Sequence, residues 1–150
     1  MDSVVKKIIS SAEKDTEAFA CCLAQQLPLG TLVTLQGDLG AGKTVFARGF
    51  ARGLGITEPV SSPTYTIVQE YNLPQGGRLY HLDLYRISSA EAALAFGVDE
   101  FFDDANAVKL VEWPERAGGL IPDDAVRITI THLSENEREI SLEKTCVCGN

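Results

Sequence analysis

The sequence has no long apolar run and no excess of basic residues. No apolar stretch approaches the ~20 residues of a membrane-spanning helix, and the first residues lack the apolar core and cleavage site of a secretory signal. Acidic residues outnumber basic ones by 21 to 13, giving a formal net charge of -8. A large surface for a nucleic-acid backbone is therefore not expected. We predict a cytoplasmic protein without a membrane segment, which meets any RNA through a partner.

Cysteine is also sparse, and its spacing does not predict a metal site. The four cysteines are the adjacent pair Cys21 and Cys22, and Cys146 and Cys148 near the end. Two cysteines separated by one residue, without a second pair of ligands, fall short of a zinc pattern. Adjacent residues of a helix point in different directions, so we expect one core thiol and one half-exposed thiol at the first pair. No role is assigned to Cys146 and Cys148.

Against this background, one glycine-rich stretch stands out. Residues 37–44 read Gly-Asp-Leu-Gly-Ala-Gly-Lys-Thr and match the pattern G-x-x-x-x-G-K-[ST]. The uncharged run 30–36 before it predicts a strand, and apolar residues at helical spacing in 45–54 predict a helix after it. In this context the backbone amides of the loop and of the helix start point at phosphate oxygens. The stretch therefore predicts a nucleotide-binding loop.

The residue types of the loop also indicate the ligand. Lys43 would neutralise the outer phosphates and the Thr44 hydroxyl would bind Mg²⁺. Because no Asn-Lys-x-Asp run for reading guanine occurs, we expect ATP with Mg²⁺ as the cofactors. The predicted nucleotide-binding residues of this stretch are Gly37, Asp38, Leu39, Gly40, Ala41, Gly42, Lys43, Thr44 and Val45.

The rest of the chain predicts a mixed sheet with few helices in a single domain over residues 1–150. The length of 150 residues and 45% hydrophobic content suit one domain with a real core. Turn signals between alternating runs predict two antiparallel hairpins. Two capping boxes are expected, Ser10 with Glu13 and Ser88 with Glu91. The predicted elements are helices over about 13–27 and 90–96, a short helix or turn near 99–104, the strand 107–113, and the hairpin pairs 66–71 with 78–85 and 125–132 with 138–144.

Two carboxylates close predicted strands and are candidates for the chemistry. Nucleotide hydrolysis needs a carboxylate that holds the metal and a residue that orients the attacking group. Asp83 and Glu112 stand where ligands bind in such sheets, at the carboxyl ends of strands; the alternative for each is a solvated strand-end charge. Alternation along the strand puts His81 on the same face as Asp83. A candidate switch loop, whose alternative is a plain turn, comprises Ser62, Pro63, Thr64 and Tyr65.

Two other functions remain open from these residues. A small-molecule kinase would normally need arginines on a closing lid, and none cluster after the central strands. A nucleotide-gated binding module, in which ATP orders the switch loop without significant hydrolysis, would not need the carboxylates at Asp83 and Glu112. Both alternatives are therefore less favoured than an ATPase.

Four motifs occur in a fixed order along the chain. They are the glycine loop 37–44, Ser-Pro-Thr-Tyr at 62–65, Tyr-His-Leu-Asp-Leu-Tyr-Arg at 80–86, and Val-Glu-Trp-Pro-Glu-Arg at 111–116. Together they closely resemble the TsaE (YjeE) family of bacterial ATPases, over about residues 16–131. The resemblance implies a P-loop NTPase-like three-layer α/β fold around a mixed parallel and antiparallel central sheet.

The resemblance also implies roles for individual residues. Lys43 would contact phosphates, Thr44 and Glu112 would hold Mg²⁺, and Asp83 would position water or metal. These three charged side chains form the expected catalytic set, with direct metal contact left open between Asp83 and Glu112. Further implied positions are Thr16 and Arg138 at the nucleotide, residues 62–65 as the switch loop, and Trp113 beside the metal carboxylate.

The function that this resemblance implies is a step in tRNA modification. Members act as small Mg²⁺-dependent ATPases with partner proteins of the TsaB and TsaD types, and form threonylcarbamoyladenosine beside the anticodon. An acidic chain suits such a role if the partners hold the tRNA. Our hypothesis is that ATP binding and hydrolysis drive a conformational cycle of the partner complex.

Overall fold

The computed structural model describes residues 2–38, 42–61 and 63–146. The predicted site residues Leu39, Gly40, Ala41 and Ser62, together with Cys148, lie outside this part of the chain. The described strands are β1 (Asp2–Ser10), β2 (Leu32–Gln36), β3 (Val68–Asn72), β4 (Arg78–Asp83), β5 (Ala107–Glu112), β6 (Val126–His132) and β7 (Arg138–Cys146). The helices are α1 (Glu13–Gln25), α2 (Lys43–Gly53), α3 (Ala90–Phe96) and α4 (Val98–Phe102), followed by a 3-10 segment at Pro114–Leu120.

The described strands form one mixed sheet in the order β1-β7-β6-β2-β5-β4-β3. At its centre β4, β5, β2 and β6 are mutually parallel. Both predicted hairpins are present, because β3 pairs with β4 and β6 with β7 in antiparallel register. Parallel central strands bring their carboxyl ends to one edge of the sheet, which is where such folds bind ligands.

Two separate apolar cores cover the two faces of the sheet. On one face α1 and α2 pack on the strands, with Phe46 and Phe50 of α2 meeting Leu35, Leu79 and Leu110. On the other face α3, α4 and the 3-10 segment cover the side chains of Tyr80, Leu82 and Leu84, among others. The predicted alternation along β4 is therefore confirmed, and it places odd-numbered residues of β4 on the face that carries α2.

The two helices of the first layer cross in very close contact. A Cβ atom on Gly49 of α2 would lie 2.4 Å from the carbonyl oxygen of Glu17 in α1. One on Gly53 would lie 2.3 Å from the carbonyl oxygen of Cys21. Only glycine permits this approach, so the sequence Gly49-Phe-Ala-Arg-Gly53 fixes how deeply α1 sits on α2.

Several sequence-based expectations need correction. Strand β1 was not predicted, because its alternation is weak and its partner β7 lies at the far end of the chain. Ser10 does not cap α1: it is the last residue of β1, paired in register with Arg138, and Ala12 is the N-cap. The cap of α3 is Ser89 instead of Ser88, and its hydroxyl accepts from the backbone N–H of Ala92.

The expected core thiol is likewise absent from the pair Cys21 and Cys22. Cys21 is half-buried and Cys22 is exposed, because Ala20 and Ala24 occupy the innermost positions of α1 instead.

None of the helices in the described ranges has the length and apolar character needed to span a membrane.

Candidate functional site

The site begins at the N-terminus of α2, which follows β2 by way of the glycine loop. Gly42 is the N-cap, with φ of 106°, and within the described ranges no side chain caps the helix. The first turn of α2 also contains no acidic residue. The first backbone amides of a helix have no partner within the helix, and together with its positive dipole end they offer a site for an anion.

Lys43 adds a buried positive charge at this point. Its side chain is only 8% exposed, and its Nζ lies 4.5 Å from the centroid of the Trp113 ring. Among the described residues, no carboxylate comes within ion-pair distance of Lys43. A buried ammonium without an anionic partner is costly, so this position suits a ligand that brings negative charge.

Glu112 reaches the same end of the sheet from β5. It lies in register with Leu35, near the end of β2, and it is 5% exposed although it ends its strand. Its Oε2 lies 2.7 Å from Nε2 of His81. The alternative of a solvated strand-end charge is therefore wrong for Glu112.

Asp83 is the register partner of Glu112 on the neighbouring strand β4. It is 4% exposed, and both of its oxygens accept hydrogen bonds. Oδ2 accepts from the Thr64 hydroxyl at 3.0 Å, and Oδ1 accepts from the backbone N–H of Tyr85 at 3.0 Å. The two predicted carboxylates thus stand side by side, with a switch-loop residue bonded to one of them.

The described part of the predicted switch loop, residues 63–65, lies at the end of β4. Pro63 is buried and its carbonyl accepts from the N–H of Ile67, while the Ile67 carbonyl accepts from the N–H of Asp83. Ile67 has φ of 71°, a strained conformation for a β-branched residue. Tyr65 is 84% exposed, and the guanidinium of Arg86 lies 4.5 Å from its ring centroid. The bond between Ile67 and Asp83 continues the β3–β4 pairing, while Thr64 adds a side-chain bond to the same aspartate.

Two neighbouring aromatic rings lie between two cations along the rim of the site. The Trp113 ring contacts Lys43 on one side and lies 5.0 Å, between centroids, from the Tyr85 ring. Arg116 in turn lies 5.8 Å from the Tyr85 ring. Trp113 has φ of 56°, an unusual conformation that turns the chain sharply between Glu112 and Pro114. The sequence analysis gave Tyr85, Arg86 and Arg116 no role, although they lie within the two motifs that contain Asp83 and Glu112.

Two cavities open on either side of the start of α2. One, of about 390 Å³, is lined by four predicted residues, Thr16, Gly42, Val45 and Arg138, together with the start of α1. The other, of about 340 Å³, is lined by Gly37, Asp38, Lys43 and Trp113, with parts of β6. Both volumes fall in the range of small-molecule sites, ~300–1,000 Å³.

The walls of the larger cavity are held by their own hydrogen bonds. The Thr16 hydroxyl lies 2.7 Å from the hydroxyl of Ser10, and both residues are buried. Arg138 donates from Nη1 to the backbone carbonyls of Ser134, Glu135 and Glu137 in the loop between β6 and β7. The start of α1 and the loop between β6 and β7 lie far apart in sequence, and the pairing of β1 with β7 brings them together.

The donor set suits Mg²⁺ better than a metal caged by protein alone. Among the described residues, no group of three or more His, Cys, Asp or Glu side chains is arranged to hold a metal. Mg²⁺ usually takes one or two carboxylates, with phosphate and water oxygens completing its octahedron. The Thr44 hydroxyl, exposed in the first turn of α2, and the carboxylates of Asp83 and Glu112 are donors of that kind.

The chain was compared with known proteins and structures. The family model "Threonylcarbamoyl adenosine biosynthesis protein TsaE" matches residues 10–140. The chain belongs to the TsaE family. The matched span of the TsaE model contains every predicted site residue from Thr16 to Arg138.

Individual TsaE relatives cover most of the chain. The tRNA threonylcarbamoyladenosine biosynthesis protein TsaE of Bacillus subtilis is 44% identical over 131 residues, covering 85% of this chain and 78% of that protein. The TsaE of Treponema pallidum is 37% identical over 138 residues, covering 91% and 98%. The crystal structure of YdiB from Bacillus subtilis superposes with a TM-score of 0.82 at 36% identity, covering 97% of this chain and 89% of that one. The predicted α/β fold with a mixed central sheet is confirmed.

Proposed function

We propose that this chain is a Mg²⁺-dependent ATPase that serves threonylcarbamoyladenosine formation in tRNA. The observation that carries the proposal is the buried ammonium of Lys43 at the uncapped start of α2, without a carboxylate partner among the described residues. A polyphosphate would supply the missing negative charge. Membership of a family named for this modification supports the biological role.

Each site residue has a separate task in this proposal. Lys43 and the first amides of α2 bind the phosphates. The Thr44 hydroxyl and the carboxylates of Asp83 and Glu112 hold Mg²⁺, which when bound neutralises charge that develops on the transferred phosphoryl group. Asp83 also keeps Thr64 of the switch loop at the phosphate end of the site through their hydrogen bond.

The nucleotide base and ribose would occupy the larger cavity. Its lining by Thr16, Gly42, Val45 and Arg138 supports the nucleotide contacts predicted for these residues. The smaller cavity, with Gly37, Asp38 and Lys43, would take the phosphates.

The tRNA itself would be held by partners of the TsaB and TsaD types in the cytoplasm. The formal net charge of -8 opposes direct binding of a nucleic-acid backbone. ATP binding and hydrolysis would then drive a conformational cycle of the complex, while the modification chemistry takes place on the partners.

The test measures nucleotide binding first and turnover second. Calorimetry with ATP and with GTP, each with Mg²⁺, should show binding of ATP. Lys43→Ala should weaken the affinity for ATP at least ~10-fold, since hydrogen bonds to charged groups contribute about 1.5–3 kcal/mol. Lys7→Ala, exposed on β1 and outside both cavities, is the matched control. Equal affinity of wild type and Lys43→Ala would contradict the proposal.

The second stage reconstitutes modification with purified TsaB-like and TsaD-like proteins and tRNA. We expect phosphate release to rise when the partners are added, and multiple turnovers to stop with Lys43→Ala. Transfer of phosphate to a metabolite would indicate a kinase instead. A complex that forms normally and never releases phosphate would indicate a nucleotide-gated binding module.

A further inference from the structure

His81 is a buried titratable group for which the proposed chemistry has no use. It lies on β4, two residues before Asp83, and is 2% exposed. Its Nε2 lies 2.7 Å from Oε2 of Glu112 on β5. Sequence reasoning placed His81 on the face of Asp83 but gave it no role.

The hydrogen-bond pattern of the ring is one-sided. An ionised carboxylate only accepts, so with Glu112 in that form the short contact is a hydrogen bond that Nε2–H of His81 donates to Oε2. Nδ1 is buried and has no hydrogen-bond partner within the described ranges. A histidine kept only for the stability of the core would normally satisfy both nitrogens, because an unpaired buried polar atom costs free energy.

Glu112 in turn depends on this one donor. Asp83, its register partner, is held by the Thr64 hydroxyl and the Tyr85 amide. For Glu112, His81 provides the one side-chain hydrogen bond found in the part of the chain described here. Two neighbouring buried carboxylates repel each other, so an undirected Glu112 side chain would turn away from Asp83.

We propose that His81 is a positioning residue for the metal carboxylate. Its Nε2–H holds Oε2 of Glu112, which fixes the orientation of the carboxylate and leaves Oε1 available for Mg²⁺. This inference rests on the proposed function, since it concerns the same site. It predicts that His81 governs the Mg²⁺-dependent part of nucleotide affinity and leaves the Mg²⁺-independent part unchanged.

The test is the ratio of two dissociation constants, measured by calorimetry with a non-hydrolysable ATP analogue. One is measured with Mg²⁺ and the other with EDTA. His81→Leu fills the space without a donor, and the ratio should fall by about 10–100-fold, the usual effect of losing a residue that orients a metal ligand. His81→Gln keeps a side-chain N–H donor at a similar reach and should stay within about 3-fold of wild type.

A matched control separates positioning from general loss of stability. Tyr80→Phe removes a partly buried hydrogen bond from the same strand, on the opposite face, where Tyr80 donates to Asp104 at 2.8 Å. Its ratio should equal that of wild type. If His81→Leu does not fold, the comparison passes to His81→Gln and His81→Asn, whose shorter amide stops short of Glu112; a retained ratio for Gln and a reduced one for Asn supports the proposal.

The outcomes that overturn it are specific. An unchanged ratio in His81→Leu, or in His81→Asn if that variant replaces it, would show that Glu112 needs no orienting donor. Equal losses in the Gln and Leu variants would show that the hydrogen bond is not the property that matters. Failure of Lys43→Ala to weaken binding in EDTA would instead overturn the proposed function, so the two failures are distinguishable.

Discussion

The two buried lysines Lys43 and Lys109 differ in the partners of their ammonium groups. Lys109 of β5 is 1% exposed, and its Nζ donates to the carbonyls of Gly30, Asp104 and Ala107. Burial lowers the pKa of Lys109, although neighbouring aspartates oppose the shift. Lys43 is also buried, but among the described residues its Nζ lies against the Trp113 ring. Lys109 is therefore satisfied by backbone carbonyls, whereas Lys43 has no such acceptor or ion-pair partner among the described residues.

We expect the two lysines to respond oppositely to replacement by methionine. Lys43→Met should weaken nucleotide binding at least ~10-fold, and in the absence of nucleotide it should lower the free energy of unfolding by no more than about 1 kcal/mol, because only a ring contact is lost. Lys109→Met should leave binding unchanged and lower that free energy by about 1–3 kcal/mol, because buried carbonyls lose their donor. Urea unfolding and calorimetry on both variants test this; a large loss of stability in Lys43→Met would contradict it.

At the level of single residues, the sequence predicted where a side chain lies along its strand better than it predicted which other side chains surround it. The position of Asp83 and Glu112 at the ends of their strands could be predicted because a carboxylate closing an apolar strand is a local signal. The burial of Lys109 could not, because its acceptors at Gly30 and Asp104 come from other segments. The bond between His81 and Glu112 likewise depends on how β4 and β5 align, which no local pattern states.

At the level of elements, the contact between α1 and α2 is the feature most sensitive to the addition of a single methyl group. Gly49→Ala would place Cβ 2.4 Å from the Glu17 carbonyl oxygen, which forces the helices apart. We expect a loss of about 1–3 kcal/mol in the free energy of unfolding, despite the better helix propensity of alanine. Gly119→Ala is the control, since its Cβ would meet no atom within 4 Å among the described residues. Equal stabilities of the two variants would contradict this account.

Elements with strong local periodicity were predicted well, and those defined by distant pairing were not. The hairpin of β3 and β4 follows from alternating runs around a Pro-Gln-Gly-Gly turn. Strand β1 has exposed Val5 and Ile9 and weak patterning, and it forms because β7 is available as a partner. That pairing also explains why the capping box at Ser10 is wrong: Ser10 belongs to the strand, and Ala12 is the N-cap of α1.

At the level of the whole molecule, the acidic composition makes stability depend on pH, and Asp104 gives a defined case. A hydrogen bond from the Asn106 amide, and then one from the Tyr80 hydroxyl, lower the pKa of Asp104. A carboxyl whose pKa is lower in the folded state stabilises the fold above its unfolded pKa, ~3.9, and loses this effect as pH falls through the folded value.

Asp104→Asn should therefore be less stable than wild type near neutral pH, with the difference shrinking as pH falls below about 4. Urea unfolding of both proteins between pH 3 and 7 measures this difference. In a Tyr80→Phe background the pH-dependent part of the difference should be smaller, because one of the two hydrogen bonds is gone. A difference that is constant over the whole range would contradict the assignment.

The chain contains one tryptophan, and the fold places it at Trp113, with its ring 4.5 Å from the Lys43 ammonium. Indole emission responds to nearby charge, and no second indole obscures it. The arrival of a polyphosphate beside Lys43 would change that field directly. If the proposed nucleotide binds there, the unlabelled wild-type protein carries its own optical reporter, and rapid-mixing fluorimetry would follow the occupancy of the site on the millisecond scale.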